Sequence, residues 1–163
     1  PAEAAAAVAR VFGPNVRLET GPRAVLLVGD FNGDRTPDLA VSVLPASTAA
    51  LAALNHPLAN WIVENAVERV HARAVAPPPR IEAQDRLLAV IHGYGATGWR
   101  NPAARQAYLV RDALGDAPSV APTASVLRAP PGVETIGHVI RETRDGRAGY
   151  LFWSGARYVW REI

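Results

Sequence analysis

The amino-acid sequence predicts an α+β fold, with one domain over residues 1–163 that combines a mainly antiparallel sheet with two helices. Three observations predict it. An alanine-rich run near the start favours a helix. Short apolar runs rich in β-branched residues recur at strand length, divided by Gly, Pro and Asp, and predict six to eight strands. Two pairs of these runs lie close enough to form hairpins, at about residues 24–43 and 149–162.

The N-terminal helix is expected at about residues 2–12, AEAAAAVARVF. Its apolar residues Val8, Val11 and Phe12 share one face, and the Gly-Pro pair that follows ends it. A short strand is expected at Val16–Glu19. The first strand of the first hairpin then begins near Ala24.

The segment between the first hairpin and residue 80 has the least regular pattern. Thr48–Leu54 is long enough for a turn or two of helix. Asn60 suits the N-cap of a second helix, whose apolar face consists of Trp61, Ile62, Ala66, Val67 and Val70. The alternative is a strand over Trp61–Val63. The sequence AVAPPPR at residues 74–80 predicts an exposed, extended connector inside the domain.

Further strands are predicted in the second half of the chain. Arg86–His92, RLLAVIH, is predicted as a strand that is buried on both faces because it contains a continuous apolar run. Tyr108–Val110 offers another strand, followed by a loop rich in Asp, Pro and Ser. Thr135–Glu142 is the next expected strand.

The C-terminal hairpin has the clearest pattern: GYLFW, then Ser154-Gly155 as a two-residue turn, then ARYVW. Alternation places four large residues on one face: Leu151, Trp153, Tyr158 and Trp160. We expect this face to close the core. The alternative is a binding surface, in which these aromatic residues and Trp99 stack on a glycan or contact a protein partner.

Composition excludes several functional classes. All seventeen basic residues are arginine, against fifteen acidic ones, for a net charge of +2. They are scattered and do not alternate with aromatic residues, so nucleic-acid binding has no support. The absence of cysteine excludes disulfides, thiolate zinc sites and thiol nucleophiles. No apolar run approaches the ~20 residues of a membrane span.

Oxygen-bearing side chains recur between the two strands of the first hairpin. Asp30, Asn32, Asp34 and Asp38 stand at offsets 1, 3, 5 and 9, and Thr36 at offset 7 can offer its backbone carbonyl. Three carboxylates within nine residues repel one another, and a hard cation such as Ca²⁺ removes that repulsion. Because alternate residues of a tightly wound loop point inward, we expect these five residues to bind calcium, Asp38 directly or through water.

The segment DFNGDRTPDLAV resembles the calcium-binding loop of FG-GAP and VCBS-type repeats, found in integrin-like propellers and in many bacterial surface and secreted proteins. The resemblance covers about twenty of the 163 residues. It implies ligand positions at Asp30, Asn32, Asp34 and Asp38. It also implies packing positions at Phe31 and Leu39.

Arg35 departs from the family pattern, which has glycine after the third ligand. A residue with a Cβ atom costs roughly 1 kcal/mol or more in a left-handed conformation. The arginine also adds a positive charge near the cation, so we expect reduced affinity. The alternatives are a metal-free connection held by side-chain-to-backbone hydrogen bonds and a site for another ion.

The loop occurs once, whereas a propeller needs a copy or its remnant in each blade, so a propeller is not expected. Calcium loops of modest affinity fill where calcium is about millimolar, which favours an extracytoplasmic location, periplasmic or secreted. The chain begins at Pro1 without methionine, from which we expect that an upstream piece has been removed.

The sequence identifies no catalytic set. Residues 91–99, IHGYGATGW, resemble the HG-x-G segment of α/β-hydrolases, whose backbone amides help to form an oxyanion hole. That fold also needs a G-x-S-x-G elbow, which is missing, so a glycine-rich strand exit is the preferred explanation. A hydrolase is therefore the third functional alternative, behind a calcium-binding domain and a glycan- or protein-binding module.

The remaining titratable residues give weaker signals. The four histidines, at positions 56, 71, 92 and 138, lack the spacing of a zinc site. Glu64 and Glu68 are expected on a solvated helix face, near Arg69 and Arg73, rather than as paired catalytic carboxylates.

Overall fold

The computed structural model describes residues 1–67 and 77–163. The helices and strands follow in the order α1 (Ala2–Phe12), β1 (Val16–Leu18), β2 (Leu26–Gly29), β3 (Asp38–Pro45), α2 (Leu51–Leu54), β4 (Ile62–Asn65), β5 (Leu87–Ile91), β6 (Ala107–Arg111), β7 (Asp116–Pro122), β8 (His138–Arg144), β9 (Arg147–Trp153) and β10 (Tyr158–Glu162). None of the helices in these residues is long and apolar enough to cross a membrane.

The strands form two sheets. In the six-stranded sheet, β1 and β2 pair with successive parts of β3, and β5, β6 and β4 follow in that order. The four-stranded sheet has the order β10-β9-β8-β7. Every pairing is antiparallel except that of β4 with β6, so the predicted α+β class is confirmed.

The six-stranded sheet has a core on each face. Along β5, Leu87, Ala89 and Ile91 pack with α1, whereas Leu88 and Val90 pack toward the four-stranded sheet. No residue of β5 is more than 1% exposed, which confirms the predicted burial on both faces. The layers are therefore α1, the six-stranded sheet and the four-stranded sheet. We call the region between the sheets the inter-sheet core.

The C-terminal hairpin closes the inter-sheet core, as expected. Trp153 pairs with Tyr158 and Leu151 with Trp160, so all four side chains share one face. Leu151 and Tyr158 are buried in that core, and both tryptophans pack against it. The two-residue turn is wrong: residues 154–157 form a four-residue loop. Trp153 pairs with Tyr158 rather than with Ala156, so the register is two residues later than predicted, and the Ser154 N–H donates to the carbonyl of Arg157 at 2.9 Å inside the loop.

The helix predicted from Asn60 is wrong over the described residues, and Val70 lies outside them. Residues 62–65 form β4, which runs parallel to β6, so the alternative strand is correct in kind. Val63 packs against the core on the α1 side, while Ala66, just past β4, packs in the inter-sheet core. Apolar residues facing two cores imitate the spacing of an apolar helix face, and sheet pairing then decides the conformation. The second helix is instead α2, within the predicted turns of Thr48–Leu54.

The strand β7 occupies the region predicted as a loop. It pairs only with β8 in the described part of the chain, and a bulge interrupts it between Asp116 and Ser119, where Ala117 has φ 48°. Proline is tolerated in such an edge strand because one side of the strand needs no ladder hydrogen bonds. With β4 and β7 included, the described residues contain ten strands, two more than the upper prediction. Of the predicted connector, residues 77–80 are irregular and mostly exposed, and residues 74–76 lie outside the described range.

Candidate metal centre

The acidic loop, residues 30–37, joins β2 to β3 at the place where the two sheets meet. The Asp30 N–H donates to Nδ1 of His138 at 3.0 Å, and the Asp30 carbonyl accepts from the His138 N–H at 2.7 Å. Phe31 is 5% exposed and packs in the inter-sheet core. The loop is thus bound to β8 of the four-stranded sheet, although its own strands belong to the six-stranded sheet.

The loop winds around the carboxylate of Asp30. Its Oδ1 accepts the N–H groups of Gly33 at 2.8 Å and Asp34 at 3.0 Å. Its Oδ2 accepts the N–H of Arg35 at 3.0 Å. Gly33 and Arg35 have φ angles of 77° and 69°, in the left-handed region. Arg35 therefore occupies a turn position that favours glycine, as expected from its departure from the family pattern.

The side chains of Asn32 and Asp34 lie together on this turn. Nδ2 of Asn32 donates to Oδ2 of Asp34 at 3.0 Å. The Asp34 N–H is shared between Oδ1 of Asp30 at 3.0 Å and Oδ1 of Asn32 at 3.1 Å. Since both oxygens lie next to one nitrogen atom, side-chain oxygen atoms of Asp30, Asn32 and Asp34 that could bind a metal lie in a small volume.

Thr36 adds further hydrogen bonds to this group. Its N–H and its hydroxyl donate to Oδ1 of Asp34 at 2.8 and 2.6 Å. Partial burial raises the pKa of Asp34, but the hydrogen bonds from Thr36 and Asn32 outweigh it, so the pKa lies below its usual value. Asp34 therefore stays ionised in an exposed part of the loop. The neighbouring Arg35 guanidinium lies 3.5 Å from the carboxylate of Glu134.

Asp38 is held differently. It is fully buried, with Oδ2 accepting the N–H groups of Phe31 at 2.7 Å and Asn32 at 3.3 Å, and Oδ1 accepting the N–H of Gly93 at 2.6 Å. Burial raises the pKa of Asp38 to about 6, although these three amides favour the ionised form. Both oxygens are thus engaged with backbone.

The loop fits calcium in the chemistry of its donors. Asp30, Asn32 and Asp34 offer oxygen atoms, which Ca²⁺ prefers. Among residues 1–67 and 77–163, no three His, Cys, Asp or Glu side chains lie close enough together to hold a metal ion. The gathered set has two carboxylates and one amide oxygen, while Asp38 lies against the backbone. Metal binding at the five predicted residues stays a prediction.

The glycines of the IHGYGATGW segment have a structural explanation. A Cβ atom on Gly93 would lie 2.3 Å from the Pro37 carbonyl oxygen, and one on Gly98 would lie 2.4 Å from it. The Trp99 N–H donates to that same oxygen at 2.9 Å. The Gly93 N–H is bound to Asp38, so it is not free to stabilise an oxyanion. These glycines let the exit of β5 pack directly against the end of the acidic loop.

His92 is a core residue. It is 2% exposed, and its Nε2 lies 2.7 Å from the Tyr158 hydroxyl oxygen. The rings of Tyr108 and Trp153 lie 5.0 and 5.1 Å from the imidazole. Burial lowers the pKa of His92 to about 4, although the nearby Asp34 carboxylate acts in the opposite direction. The imidazole is therefore neutral at pH 7 and inaccessible to a substrate.

Two residues have contacts that sequence reasoning missed. Glu64, expected on a solvated helix face, is buried and accepts the Tyr158 N–H at 2.9 Å. Burial raises its pKa. His138, set aside as a zinc ligand, binds the start of the acidic loop. Neither pairing has a local sequence signal, because the partners are 94 and 108 residues apart.

The remaining histidine in the described part of the chain, His56, adds no site. Nδ1 of His56 accepts the Leu58 N–H at 3.1 Å in an exposed turn. His71, Glu68, Arg69 and Arg73 lie outside the described residues.

Comparison with known proteins adds no relative. No protein-family model, curated protein or solved structure matches this chain. The resemblance to FG-GAP and VCBS-type loops therefore stays a prediction that depends on the short acidic segment alone.

Proposed function

We propose that this chain is a calcium-binding domain with a structural metal, acting in an extracytoplasmic compartment. The supporting observation is that Oδ1 of Asp30 and Oδ1 of Asn32 both accept the Asp34 N–H, while Nδ2 of Asn32 donates to Oδ2 of Asp34, in a loop that reaches solvent. Two left-handed residues, Gly33 and Arg35, give the loop this winding. A cation bound there would offset the repulsion between neighbouring carboxylates.

Five residues would hold the ion. Asp30, Asn32 and Asp34 would supply side-chain oxygens, and Thr36 its carbonyl. Asp38 would contribute through a water molecule, because its carboxylate is fully buried against the backbone amides of Phe31 and Gly93, whereas Asp30 is partly exposed. Calcium would replace the hydrogen bond between Asn32 and Asp34 with bonds from oxygen to the metal.

The attachment of the loop suggests what a structural metal does here. The loop is bound to His138 of the four-stranded sheet and, through Asp38, to Gly93 at the end of β5. Fixing the loop would therefore stabilise the junction of the two sheets. Calcium that binds only the folded loop stabilises by RT ln(1 + [L]/Kd), about 2.7 kcal/mol at a hundredfold excess over Kd.

Calorimetric titration with calcium, after treatment with a chelator, tests the proposal. We expect one site in the wild-type chain, no binding by Asp34→Ala, and weakened binding by Asn32→Ala. The effect of Asp34→Ala is larger because it removes a charged ligand, whereas Asn32→Ala removes a neutral one. Asp116→Ala, a change of an exposed carboxylate on β7, is the matched control and should bind normally. Absence of binding at millimolar calcium, or identical melting midpoints with chelator and with calcium, would refute a structural calcium.

The glycan- or protein-binding alternative depends on an exposed aromatic surface. Leu151 and Tyr158 are each 1% exposed, and Trp153 and Trp160 pack against the inter-sheet core. The face of the C-terminal hairpin that would bind a glycan or a protein partner in this alternative therefore packs against the core. For this reason we place that alternative second to calcium binding.

A further inference from the structure

The outer edge of β2 has backbone groups that no described residue binds. The Ser42 N–H donates to the Val25 carbonyl at 3.0 Å, which identifies these two as a hydrogen-bonded pair of the β2–β3 ladder. Hydrogen bonding alternates along a strand, so Leu27 and Gly29 also face β3. Leu26 and Val28 therefore direct their N–H and carbonyl groups away from the sheet.

The same edge is already used at its end. Asp30 is the next residue in the outward phase, and its N–H and carbonyl both bind His138. In the described part of the chain, nothing continues this pairing at Val28 and Leu26. Their side chains are 42% and 48% exposed. Natural sheet edges of this kind are usually covered or blocked, because they offer a template for another strand.

A groove of about 430 Å³ lies beside this edge, between residues 22–27 and residues 114–118. Leu27 and Leu114 line it and pack against the inter-sheet core, which gives the groove an apolar floor. Arg23 lies on the β2 side and Asp116 on the β7 side, both exposed. No ion pair joins either of them to another described residue.

We propose that this edge binds an extended peptide segment of a partner protein, which adds a strand to β2. The backbone of the peptide would pair with Leu26 and Val28 and continue the pairing that Asp30 makes with His138. Alternate apolar side chains of the peptide would cover Leu27 and Leu114. Charge complementarity applies across the groove, with an acidic side chain of the peptide toward Arg23 on the β2 side and a basic side chain toward Asp116 on the β7 side.

The probe is a capped peptide of alternating valine and threonine with an adjacent glutamate and lysine at one end, so that the two charged side chains point to opposite sides of the added strand. Val28→Pro removes an outward N–H without removing a hydrogen bond to β3, so it should weaken binding about tenfold or more. Val28→Thr keeps the N–H and the β-branched shape, and is the matched control with unchanged affinity. Arg23→Glu should weaken binding of this peptide as well.

Amide hydrogen exchange of the wild-type protein gives a readout that needs no variant. The amides of Leu26 and Val28 should exchange fast in the free protein and slowly with peptide bound, while the Leu27 amide stays protected throughout. Absence of binding at millimolar peptide, or equal binding by Val28→Pro and wild type, would overturn the proposal. A dimer that forms at rising protein concentration and is lost in Val28→Pro would overturn it too, since a second copy would then occupy the edge.

Discussion

The Gly93 N–H donates to Oδ1 of Asp38 at 2.6 Å, across 55 residues of sequence. This bond joins the last predicted ligand of the acidic loop to the exit of β5. Pro37 lies between the two, close enough to Gly93 and Gly98 that neither has room for a Cβ atom. Two motifs that look independent in the sequence, DFNGDRTPD and HGYGATG, are therefore one packed unit.

Gly93→Ala should be strongly destabilising. Its Cβ would lie 2.3 Å from the Pro37 carbonyl oxygen, and backbone atoms cannot move aside as a side chain can. We expect a loss of at least about 2 kcal/mol in the free energy of unfolding, measured by urea denaturation. Gly95→Ala is the control: its φ is 63° and its nearest contact is at 3.4 Å, so it should cost only about 1 kcal/mol. A loss no larger than that of Gly95→Ala would show that the contact with Pro37 does not require glycine at position 93.

Arg35→Gly should tighten calcium binding. Glycine adopts the observed φ of 69° without strain, and the change removes a positive charge near the cation. We expect affinity to rise about two- to tenfold by calorimetry at low salt. Loss of the exposed ion pair with Glu134 should matter little. Arg35→Gln separates the two causes, because it removes the charge and keeps the Cβ atom. If neither variant binds better than wild type, our explanation of the departure is wrong.

The strands that sequence reasoning located are those with a continuous or alternating apolar pattern. The strand β5 and the C-terminal hairpin lie at the cores, and burial is what their patterns record. The errors lie at the edges of the sheets. The edge strand β7 contains Pro118, Pro122 and a bulge, all of which imitate a loop. Val63 in β4 and Ala66 just after it pack in different cores, and their combined spacing resembles the apolar face of a helix.

The candidate site shows the same division. The spacing of Asp30, Asn32 and Asp34 is local, and the structure does bring these side chains together. The role of Asp38 depends on Gly93, and that of Asp30 on His138. Contacts made across 55 and 108 residues have no counterpart in a short motif, so burial of Asp38 could not be predicted from its spacing.

Titration of His92 should make stability depend on pH. Its pKa is about 4 in the folded protein and 6.5 in the unfolded chain, so the unfolded chain binds the proton first as pH falls. Its contribution is present above pH 6.5 and is lost progressively toward pH 4. The loss is on the order of 3 kcal/mol, since one pKa unit corresponds to about 1.4 kcal/mol. Asp38, with its raised pKa of about 6, acts in the opposite direction over much of this range.

The comparison of wild type with His92→Gln isolates this contribution. The unfolding free energy of wild type minus that of His92→Gln, measured in chelator, should decrease by about 3 kcal/mol as the pH falls from 7 to 4. Tyr158→Phe removes the hydrogen bond to His92 and leaves the imidazole to titrate. Its curve should therefore run parallel to that of wild type. Parallel curves for wild type and His92→Gln would show that His92 does not titrate in this range.

The C-terminal strand should be required for folding. Tyr158 is 1% exposed, with its hydroxyl bound to His92 and its N–H bound to Glu64, while the Trp160 N–H donates to the Ala66 carbonyl at 2.9 Å. Removing β10 would therefore open the inter-sheet core and leave two buried polar side chains without these partners.

Deletion of all residues after Gly155 should therefore give an unfolded or insoluble product, although the acidic loop is untouched. Truncating a single core aromatic side chain to alanine costs about 3–5 kcal/mol, and a domain of this size has roughly 5–15 kcal/mol of stability. Circular dichroism and calcium calorimetry of the truncated chain check this. Deletion of Ile163 alone is the control, since that side chain is 65% exposed and the residue follows β10. If the chain cut after Gly155 stays folded and binds calcium with normal affinity, the hairpin is an appendage, and its aromatic residues then become candidates for glycan or protein binding.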